Sequence, residues 1–432
     1  NIDQKPDLEY LKYIEDKYGI NIWLLAYNDR IFYNYNDYRN FTTDEVLFII
    51  EQECKFFESV LDDTKPDYFI THDTYSQQHR LFYEMCKARE IKILLMAPVR
   101  VGNLFEITDK SDKFRNIQNI EGEFPEVEME PLEFLKSMKT NSQKNYIYEV
   151  ENSKKDFLQA GTKFWLSNNS KEKTYYTYFG RTRFRVLLKT LSYEFKRRCR
   201  EIFNKKELPM KIDISSPFVY FPLHMEQESA MLIGAPFYVN QIEIIKNIVR
   251  SLPVGYKLVV KDHFVMKNRG WRSVKECKEI MSIPNVILMN PLSDGKDIMD
   301  KCSLVIAVKG TSSIEAAFQM KPSIVFENSG SYQFPSVDKI TSFHELPDAI
   351  RNGLKKKIRI EDLKKCINII SKNSFYCDQV KLETEIQQRF NIGGYLADGI
   401  FPDATKEMEK YLLDFKSDFQ SLVSEYLKKI QD

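Results

Sequence analysis

The chain has 432 residues, of which 43% are hydrophobic and 29% charged, and its formal net charge is +1. This length predicts two or three domains, and the balanced charge excludes a protein that binds nucleic acid through overall charge. No apolar run approaches the roughly 18 residues of a membrane span. Seven cysteines, an odd number without a CxxC pair, argue against a disulfide framework or a zinc cluster. We therefore expect a globular protein of the reducing cytoplasm.

Short apolar runs and amphipathic segments alternate in the first hundred residues. In chain order they predict helix 8–18, strand 21–27, helix 43–61, strand 67–71, helix 77–89 and strand 92–97. Strands that alternate with helices are typical of an α/β domain. Since the pattern opens on a helix where a βα unit opens on a strand, we expect that a first strand either lies upstream of residue 1 or is replaced by another element.

Residues 106–180 lose this alternation, and we interpret them as an irregular insert because they are polar, acidic and rich in tyrosine. A long helix is then predicted over 181–206, with one apolar stripe: Phe184, Leu187, Leu188, Leu191, Phe195 and Ile202. Its other faces are strongly basic. They favour a solvated surface that bridges two domains, and the alternative is peripheral contact with an anionic membrane where lipid-linked glycans are built.

The clearest alternation lies between residues 215 and 355. Five continuously apolar strands are predicted at 218–221, 256–261, 285–289, 303–308 and 323–327, each followed by a helix, at 239–252, 272–281, 294–301, 312–320 and 346–354. Such strands are expected in a parallel sheet covered on both faces, as in a doubly wound α/β domain. We divide the chain into α/β domains over 1–205 and 206–356 and a helical segment over 357–432, which packs back on them and ends in a helix over 404–430.

Several common catalytic motifs are absent from the chain. The sequence has no GxxxxGK[ST], GxGxxG, HExxH or GxSxG. It also lacks a DxD pair, which a single-domain sugar transferase that holds its nucleotide through a metal usually needs. Five dispersed histidines give no metal-ligand spacing. We expect neither a metal ion nor a cofactor.

The most informative segment runs from Gly310 to Glu315. An apolar strand ends, Gly310 permits a tight turn, and three hydroxyl residues open a helix, whose free N–H groups attract anions. This arrangement predicts a phosphate cradle, with Glu315 placed to accept from ribose hydroxyls. An ordinary helix N-cap is an equally good interpretation. The hydroxyl residues are Thr311, Ser312 and Ser313.

Two other segments fall on the same predicted sheet edge, where open α/β sheets bind ligands. Lys261 and His263 close one strand, as a cationic pair that would neutralise a phosphate. His224 and Glu226 lie in the loop after another strand, where His224 would contact donor phosphate or sugar. A surface lysine and a partly buried histidine would explain the first pair alone. The coincidence of three segments favours a binding site.

The N-terminal half carries candidates for a general base and for acceptor contacts. His72 and Asp73 follow the predicted strand 67–71 and would take a proton from an acceptor hydroxyl, although a helix N-cap explains Asp73 slightly better. Asp29 and Arg30 follow the predicted strand 21–27, and Asp29 is the second carboxylate candidate. Arg100 follows the predicted strand 92–97, where it would grip an anionic acceptor or pair with an acid.

Five runs of this sequence resemble the capsule polysaccharide biosynthesis family, which includes Kdo-transferring enzymes and related surface-glycan glycosyltransferases. The runs are LEYLKYIEDKYGINIWLLAYNDR, YFPLHMEQES, YVNQIEIIKNIVRSLPVGYKLVVKDH, IPNVILMNPLSD and SLVIAVKGTSSIEAAFQMKPSIVFE. The likeness covers most of residues 8–105 and 215–355. It implies the GT-B fold, in which two Rossmann-like domains face across a cleft and the C-terminal one mainly holds the nucleotide sugar, without a metal requirement.

Three motifs of that family have counterparts here: a K-E-H-P motif, a glycine–threonine–glutamate turn and part of a P-L-H-x-x-P-E loop. Two of their prolines are replaced, by Phe264 and by Gln227. The matching residues are Lys261 and His263 for the first motif, Gly310, Thr311 and Glu315 for the second, and His224 and Glu226 for the third.

These features together predict a glycosyltransferase that moves a sugar from a nucleotide-activated donor, CMP- or UDP-linked, onto a surface or capsular glycan. The donor and a free or lipid-linked glycan acceptor are the expected partners, with no nucleic acid. A nucleotide-sugar epimerase of the same fold and a non-catalytic binding protein are the alternatives. If the protein meets a membrane, the basic helix 181–206 is the expected contact.

Overall fold

The structure is a computed structural model. It describes residues 4–32, 38–72, 76–110, 115–116, 129–137, 158–159, 161–162, 165–166, 179–213, 215–264, 272–328, 332–390 and 404–431. Two larger sheets, with helices packed on them, make up an α/β fold, as predicted. In the part of the chain that is described, no helix combines the length and the apolar character needed to cross a bilayer.

The N-terminal elements build a four-stranded sheet with its helices. They are α1 (Leu8–Tyr18), α2 (Ile22–Asn28), α3 (Thr43–Thr64), β1 (Tyr68–His72), α4 (Gln77–Ala88), β2 (Lys92–Pro98), β3 (Leu104–Thr108), β4 (Arg115–Asn116) and α5 (Pro131–Ser137). β1 and β2 are parallel and joined by α4, whereas β3 runs antiparallel to β2. The sheet order is β1-β2-β3-β12, where β12 is Phe375–Tyr376 from the far end of the chain.

The predicted strand over 21–27 is wrong, because this segment is the helix α2. Asn21 caps it by accepting a hydrogen bond from the Leu24 amide at 2.7 Å. Ile22, Leu25 and Ala26 are buried, which is a helical spacing. A short, continuously apolar run fits a buried strand or a buried helix equally well by pattern alone, so only tertiary packing decides between them.

The second sheet has six parallel strands in the order β11-β9-β8-β5-β6-β7. Its elements are β5 (Phe218–Pro222), α7 (Ser229–Leu232), α8 (Gln241–Ser251), β6 (Lys257–Lys261), α9 (Val274–Ser282), β7 (Val286–Met289), α10 (Gly295–Lys301), β8 (Leu304–Ala307), α11 (Ser312–Phe318), β9 (Ser323–Val325), β10 (Tyr332–Gln333), β11 (Val337–Lys339) and α12 (Leu346–Lys355), with α6 (Arg183–Glu207) preceding them. The chain fills one half of the sheet through β5, β6 and β7, then crosses back to β8. This order is that of dinucleotide-binding sheets, with its switch point between β5 and β8.

Helices cover both faces of the six-stranded sheet, so the doubly wound prediction is confirmed. Alternate strand residues such as Val219 and Leu258 pack against α8, α9 and α12. The intervening residues, such as Tyr220 and Val259, pack against α10 and α11. Because both faces are buried, the strands read as unbroken apolar runs, and this is why they could be predicted.

The C-terminal segment returns to the N-terminal sheet. It comprises α13 (Ile360–Asn373), β12, α14 (Gln379–Phe390), α15 (Ala404–Asp414) and α16 (Lys416–Gln431). The predicted helix over 404–430 is thus two helices, with Phe415 between them. β12 pairs antiparallel with β3, and the Tyr426 hydroxyl of α16 donates to the Thr71 carbonyl of β1 at 3.2 Å.

The N-terminal and six-stranded parts share a core and polar contacts. Val99 and Val101, in the turn after β2, lie in one hydrophobic cluster with Ile314 of α11. At the end of α2, the Asn28 amide donates to the Leu232 carbonyl of α7, in the orientation that its partners require. These contacts bring the end of α2 close to the loops that follow the central strands.

Candidate functional site

The carboxyl ends of β5, β6 and β7 meet at one edge of the six-stranded sheet. The register fixes this, because Pro222 is paired with Lys261 and Lys261 with Met289. β8 lies beside β5 in the same direction, so the loop after Ala307 opens at the same edge. The structure therefore brings together the three segments that the sequence analysis singled out.

His224 stabilises the turn after β8. Its ring Nε2 is in hydrogen-bond contact with the Lys309 carbonyl, and since a carbonyl only accepts, Nε2 carries the proton. Gln241 fixes the histidine backbone, accepting from its amide at 2.7 Å and donating to its carbonyl at 2.9 Å. Burial, aided by the nearby His263, lowers the pKa of His224 to about 4. His224 is therefore a neutral support for this turn. Contrary to our expectation, its Nε2 is not available to a donor phosphate, because it is already bonded to the Lys309 carbonyl.

A buried arginine links the loop after β5 to the loop after β6. Arg272 donates to Asp262 Oδ2 at 3.0 Å and lies 3.4 Å from Glu226 Oε1, and its exposed fraction is 3%. Burial opposes its charge, but the two carboxylates outweigh it and raise the Arg272 pKa. Burial raises the pKa of Glu226, against the effect of Arg272. Glu226 is therefore a partner of this arginine.

Lys261 is a second buried cation at the edge. Its Nζ donates to the Asp262 carbonyl at 3.2 Å, and no carboxylate among the described residues lies within ion-pair distance. Burial lowers its pKa, and Asp262 and Asp294 work in the opposite direction. An ammonium that is so poorly compensated gains by meeting an anion.

The turn at residues 310–315 is built much as predicted, with one difference. Gly310 has φ of 102°, and a Cβ there would lie 3.1 Å from His224 Nε2, so both backbone and space require glycine. Thr311 is exposed and Ser312 half-buried. Ser313 is fully buried, and its hydroxyl donates to the Gly310 carbonyl at 3.4 Å. Ser313 therefore faces the protein and not the open edge.

A cavity of about 240 Å³ lies beside this turn. Its lining combines apolar with polar and charged side chains: Leu132, Leu135, Lys136, Tyr220, Lys296, Met299, Ser312, Glu315 and Gln319, together with Gly295. Tyr220 pairs with Val259, and Lys261 is two residues beyond Val259 in the same strand, so Lys261 lies on the same sheet face one step nearer the edge. Lys261 therefore lies on the face of the sheet that the cavity covers, nearer to the edge.

His263, the remaining predicted residue of this edge, is half-buried. Its ring lies 4.5 Å from that of Phe264, and its backbone amide donates to Asp262 Oδ1 at 2.9 Å. Phe264 thus packs on the histidine.

One predicted base candidate, His72, lies at the edge of the N-terminal sheet. His72 ends β1, is exposed, and lies with its ring 5.0 Å from that of His79 on α4. His79 in turn contacts the Thr71 hydroxyl. Asp73 lies outside the described residues, so it stays a prediction.

The other N-terminal predictions rested partly on the misassigned strand. Asp29 follows the helix α2 and accepts from the Ile31 amide at 2.8 Å, and Arg30 beside it is exposed. Arg100 lies in the tight turn between the antiparallel β2 and β3, with φ of 69°, and not in a βα loop. Asp29, Arg30 and Arg100 therefore do not lie in loops that lead from a strand to a helix, as the sequence pattern had predicted.

Sequence reasoning missed a half-buried carboxyl at this edge. Glu53 of α3 and Gln77, the first residue of α4, lie beside each other and near Asp29. Glu53 Oε2 and both amide atoms of Gln77 are buried without a hydrogen-bond partner. Burial raises the pKa of Glu53 to about 7, against the lowering effect of the Gln77 and Gln78 side chains, and Asp29 adds a smaller upward effect. A glutamate within an amphipathic helix gives no sequence signal of burial.

Three residues of the six-stranded edge were also missed. Lys309 directly precedes the recognised Gly310, and its Nζ approaches the Gly234 carbonyl at 3.5 Å. Gln241 opens α8, where it looks like an ordinary first-turn residue. Arg272 follows β6 by eleven residues, and only its burial distinguishes it from other loop arginines.

Among the described residues, no three His, Cys, Asp or Glu side chains are grouped as a metal site would need. Metal independence remains a prediction, which rests on the missing DxD pair.

Comparisons with known proteins give weak structural similarity only. No protein-family model matches the chain, and no curated protein matches it. A Thermosulfurimonas dismutans KpsC, a beta Kdo 2,7 transferase, is 9% identical, with a TM-score of 0.34 over 83% of this chain and 91% of that one. A UDP-GlcNAc 2-epimerase from Methanocaldococcus jannaschii is 12% identical, with a TM-score of 0.29 over 84% and 89%. These values carry no argument about activity, so the fold description rests on strand order and register.

Proposed function

We propose that the protein is a metal-independent glycosyltransferase of GT-B architecture that takes its sugar from a nucleotide-activated donor. The observation that carries this proposal is the meeting of three strand-end loops at the sheet's switch point, with a cavity beside the turn after β8 and a buried lysine on the same face of the sheet. Ligands bind open α/β sheets at this position.

The volume of the cavity suits part of a nucleotide and not a whole one. Its volume of about 240 Å³ is below the roughly 300–1,000 Å³ of complete small-molecule sites. We assign it to the base and ribose, with Tyr220 and Met299 as apolar walls and Glu315 as acceptor for ribose hydroxyls. The diphosphate or phosphate would then lie outside the cavity, within reach of Lys261, Thr311 and Ser312. A CMP- or UDP-linked sugar is the donor we expect.

Catalysis in this proposal consists of positioning and charge stabilisation. The sugar–phosphate bond breaks as an acceptor hydroxyl oxygen forms the new glycosidic bond, and the phosphate leaves with the negative charge. Lys261 stabilises that charge by electrostatic attraction. Arg272 holds Asp262 and Glu226, which keep the neighbouring loops in place, and His224 does the same for the turn at Gly310.

The acceptor proton must pass to a base, and we infer that the base comes from the N-terminal edge. Asp73, His72 and Asp29 are the predicted candidates, and Glu53 joins them. A carboxyl with a pKa of about 7 is suited to take up a proton at neutral pH. The acceptor itself is proposed to be a surface or capsular glycan, free or lipid-linked.

A nucleotide-sugar epimerase is the second candidate function. Glu53 favours it specifically, because epimerisation removes and returns a proton, and a carboxyl that titrates near neutral pH serves both steps. An epimerase needs no acceptor, so the two functions differ in their products.

Product analysis tests the proposal. The full chain is incubated with CMP- and UDP-linked sugars, with and without a glycan acceptor, in excess chelator. Transfer of sugar to the acceptor supports the transferase, whereas an isomerised donor without acceptor supports the epimerase. Binding without turnover would leave only a binding protein. If Mg²⁺ or Mn²⁺ restores activity that the chelator abolished, metal independence is wrong.

A further inference from the structure

Helix α6 is long, yet it is hardly covered by the rest of the protein. It has 25 residues, and Arg200 is the one among them that is buried. Its first turn is tied to the N-terminal part, because Arg185 donates to the Tyr38 carbonyl at 3.2 Å. Its last turns are tied to the six-stranded part, because Arg200 donates to the Arg272 carbonyl at 3.1 Å. The helix is therefore fixed at both ends and exposed between them.

The apolar stripe of α6 points away from the protein. Its six large side chains, Phe184, Leu187, Leu188, Leu191, Phe195 and Ile202, have exposed fractions between 46% and 70%. Arg200 is nine residues beyond Leu191, which is about two and a half helical turns, so the buried contact lies on the opposite side of the helix. The described part of the chain therefore does not cover the stripe, which stays exposed to water along its length.

Basic side chains surround this stripe. Residues 181–207 contain ten Lys and Arg against three Glu. Arg197 is neutralised by Glu194 and Glu201, both at 2.8 Å, and it lies on the side facing the protein. Lys196, Arg198 and Lys205 are exposed, and none of them is within ion-pair distance of a described carboxylate. The charge next to the stripe is therefore uncompensated and positive.

We propose that α6 docks the protein on an anionic lipid bilayer, with the stripe inserted at the boundary between headgroups and acyl chains. An apolar face with a strongly basic surround is what an interfacial helix presents to such a membrane. A second copy of the chain is a poorer occupant, because it would bring two basic surfaces together. The proposal concerns this surface alone and holds whatever the sheet edge binds.

The geometry also sets how the protein would lie. Because α6 is anchored at Tyr38 and at Arg272 and its stripe faces away from the Arg272 contact, a docked helix lies between the membrane and the loop of Arg272. An acceptor carried by the membrane would then reach the protein by lateral diffusion.

Vesicle co-sedimentation of the full chain tests the proposal. Vesicles of phosphatidylcholine alone are compared with vesicles that also contain phosphatidylglycerol. The stripe variant is Leu191→Ser with Phe195→Ser, and the charge variant is Lys196→Gln with Arg198→Gln. The matched control is Phe56→Ser on α3, a phenylalanine whose exposed fraction of 63% is close to the 70% of Phe195.

We expect the wild type and Phe56→Ser to bind anionic vesicles equally and to bind neutral vesicles at least tenfold more weakly. The stripe variant should lose binding at least tenfold, and the charge variant about fivefold for each basic residue removed. Equal binding by the stripe variant and the wild type would overturn the proposal, as would equal binding to both vesicle types. A wild type that fails to bind vesicles and forms a dimer that the stripe variant dissolves would assign the surface to self-association instead.

Discussion

The two sheet edges differ in how their polar groups are satisfied. At the six-stranded edge, Arg272 is joined to two carboxylates and His224 to a carbonyl and to Gln241, while the Nδ1 atom of His224 is buried without a partner. At the N-terminal edge, Glu53 and Gln77 have buried atoms without partners. The first edge is a charged network, whereas the second holds a carboxyl whose pKa burial raises to about 7.

This difference indicates that donor binding takes place at the six-stranded edge and proton transfer at the N-terminal edge. A linked network fixes geometry and suits the recognition of a charged donor, because little has to reorganise when the ligand arrives. A carboxyl whose pKa is raised mainly by burial suits a group that gains or loses a proton. The two edges should therefore respond in opposite ways to pH and to substitution.

The largest effect is expected from breaking the network at its centre. Arg272→Gln leaves Asp262 and Glu226 buried without their cation, and it should lower the free energy of unfolding by about 3–5 kcal/mol. Urea unfolding measures this change. Arg351→Gln, which removes an exposed pair with Asp348, is the control and should change stability by less than about 0.5 kcal/mol. Similar losses in the two variants would contradict the network.

A smaller effect is expected at Glu53. Its folded-state pKa of about 7 exceeds its unfolded value, so its contribution is present at low pH and lost as pH rises from about 4.5 to 7. Glu53→Gln should therefore be more stable than the wild type above pH 7, by roughly 2–3 kcal/mol, and should show no such gain at pH 4.5. Urea midpoints at both pH values test this, and the exposed Glu9→Gln serves as control.

The opposite pH dependence is expected at His224. Its folded-state pKa of about 4 lies below its unfolded value, so its neutral form stabilises the fold above about pH 6.5, and this contribution is lost as pH falls towards 4. His224→Gln keeps a donor for the Lys309 carbonyl but cannot titrate. The wild type should lose roughly 1–3 kcal/mol relative to this variant between pH 7 and 4. Parallel losses in both proteins would show that His224 is not the cause.

The smallest effect is expected on α6, outside both edges. Phe195→Ser removes an exposed side chain, so thermal unfolding should be unchanged within about 0.5 kcal/mol. A large loss of stability would mean that the stripe is covered within the protein, and it would also argue against membrane docking.

The six-stranded sheet could be predicted from the sequence because its strands are buried on both faces and the order of strands and helices is regular. The convergence of His224, Lys261 and Gly310 followed from strand ends alone. The pattern could not predict α2, since a short apolar run does not reveal its period. Nor could it predict Arg272 or Glu53, because their roles depend on which charges the tertiary structure buries beside them.

Calorimetric titration of the full chain with CMP, CDP, UDP and GDP tests the central claim most directly, namely that a nucleotide binds beside Lys261. Lys261→Met keeps the side-chain volume and removes the charge, and Lys257→Met, at the other end of β6, is the matched control. We predict that one nucleotide binds the wild type and Lys257→Met equally and binds Lys261→Met at least tenfold more weakly, since a charge-assisted contact contributes about 1.5–3 kcal/mol. Unchanged affinity in Lys261→Met, or no binding of any of the four nucleotides, would contradict the account.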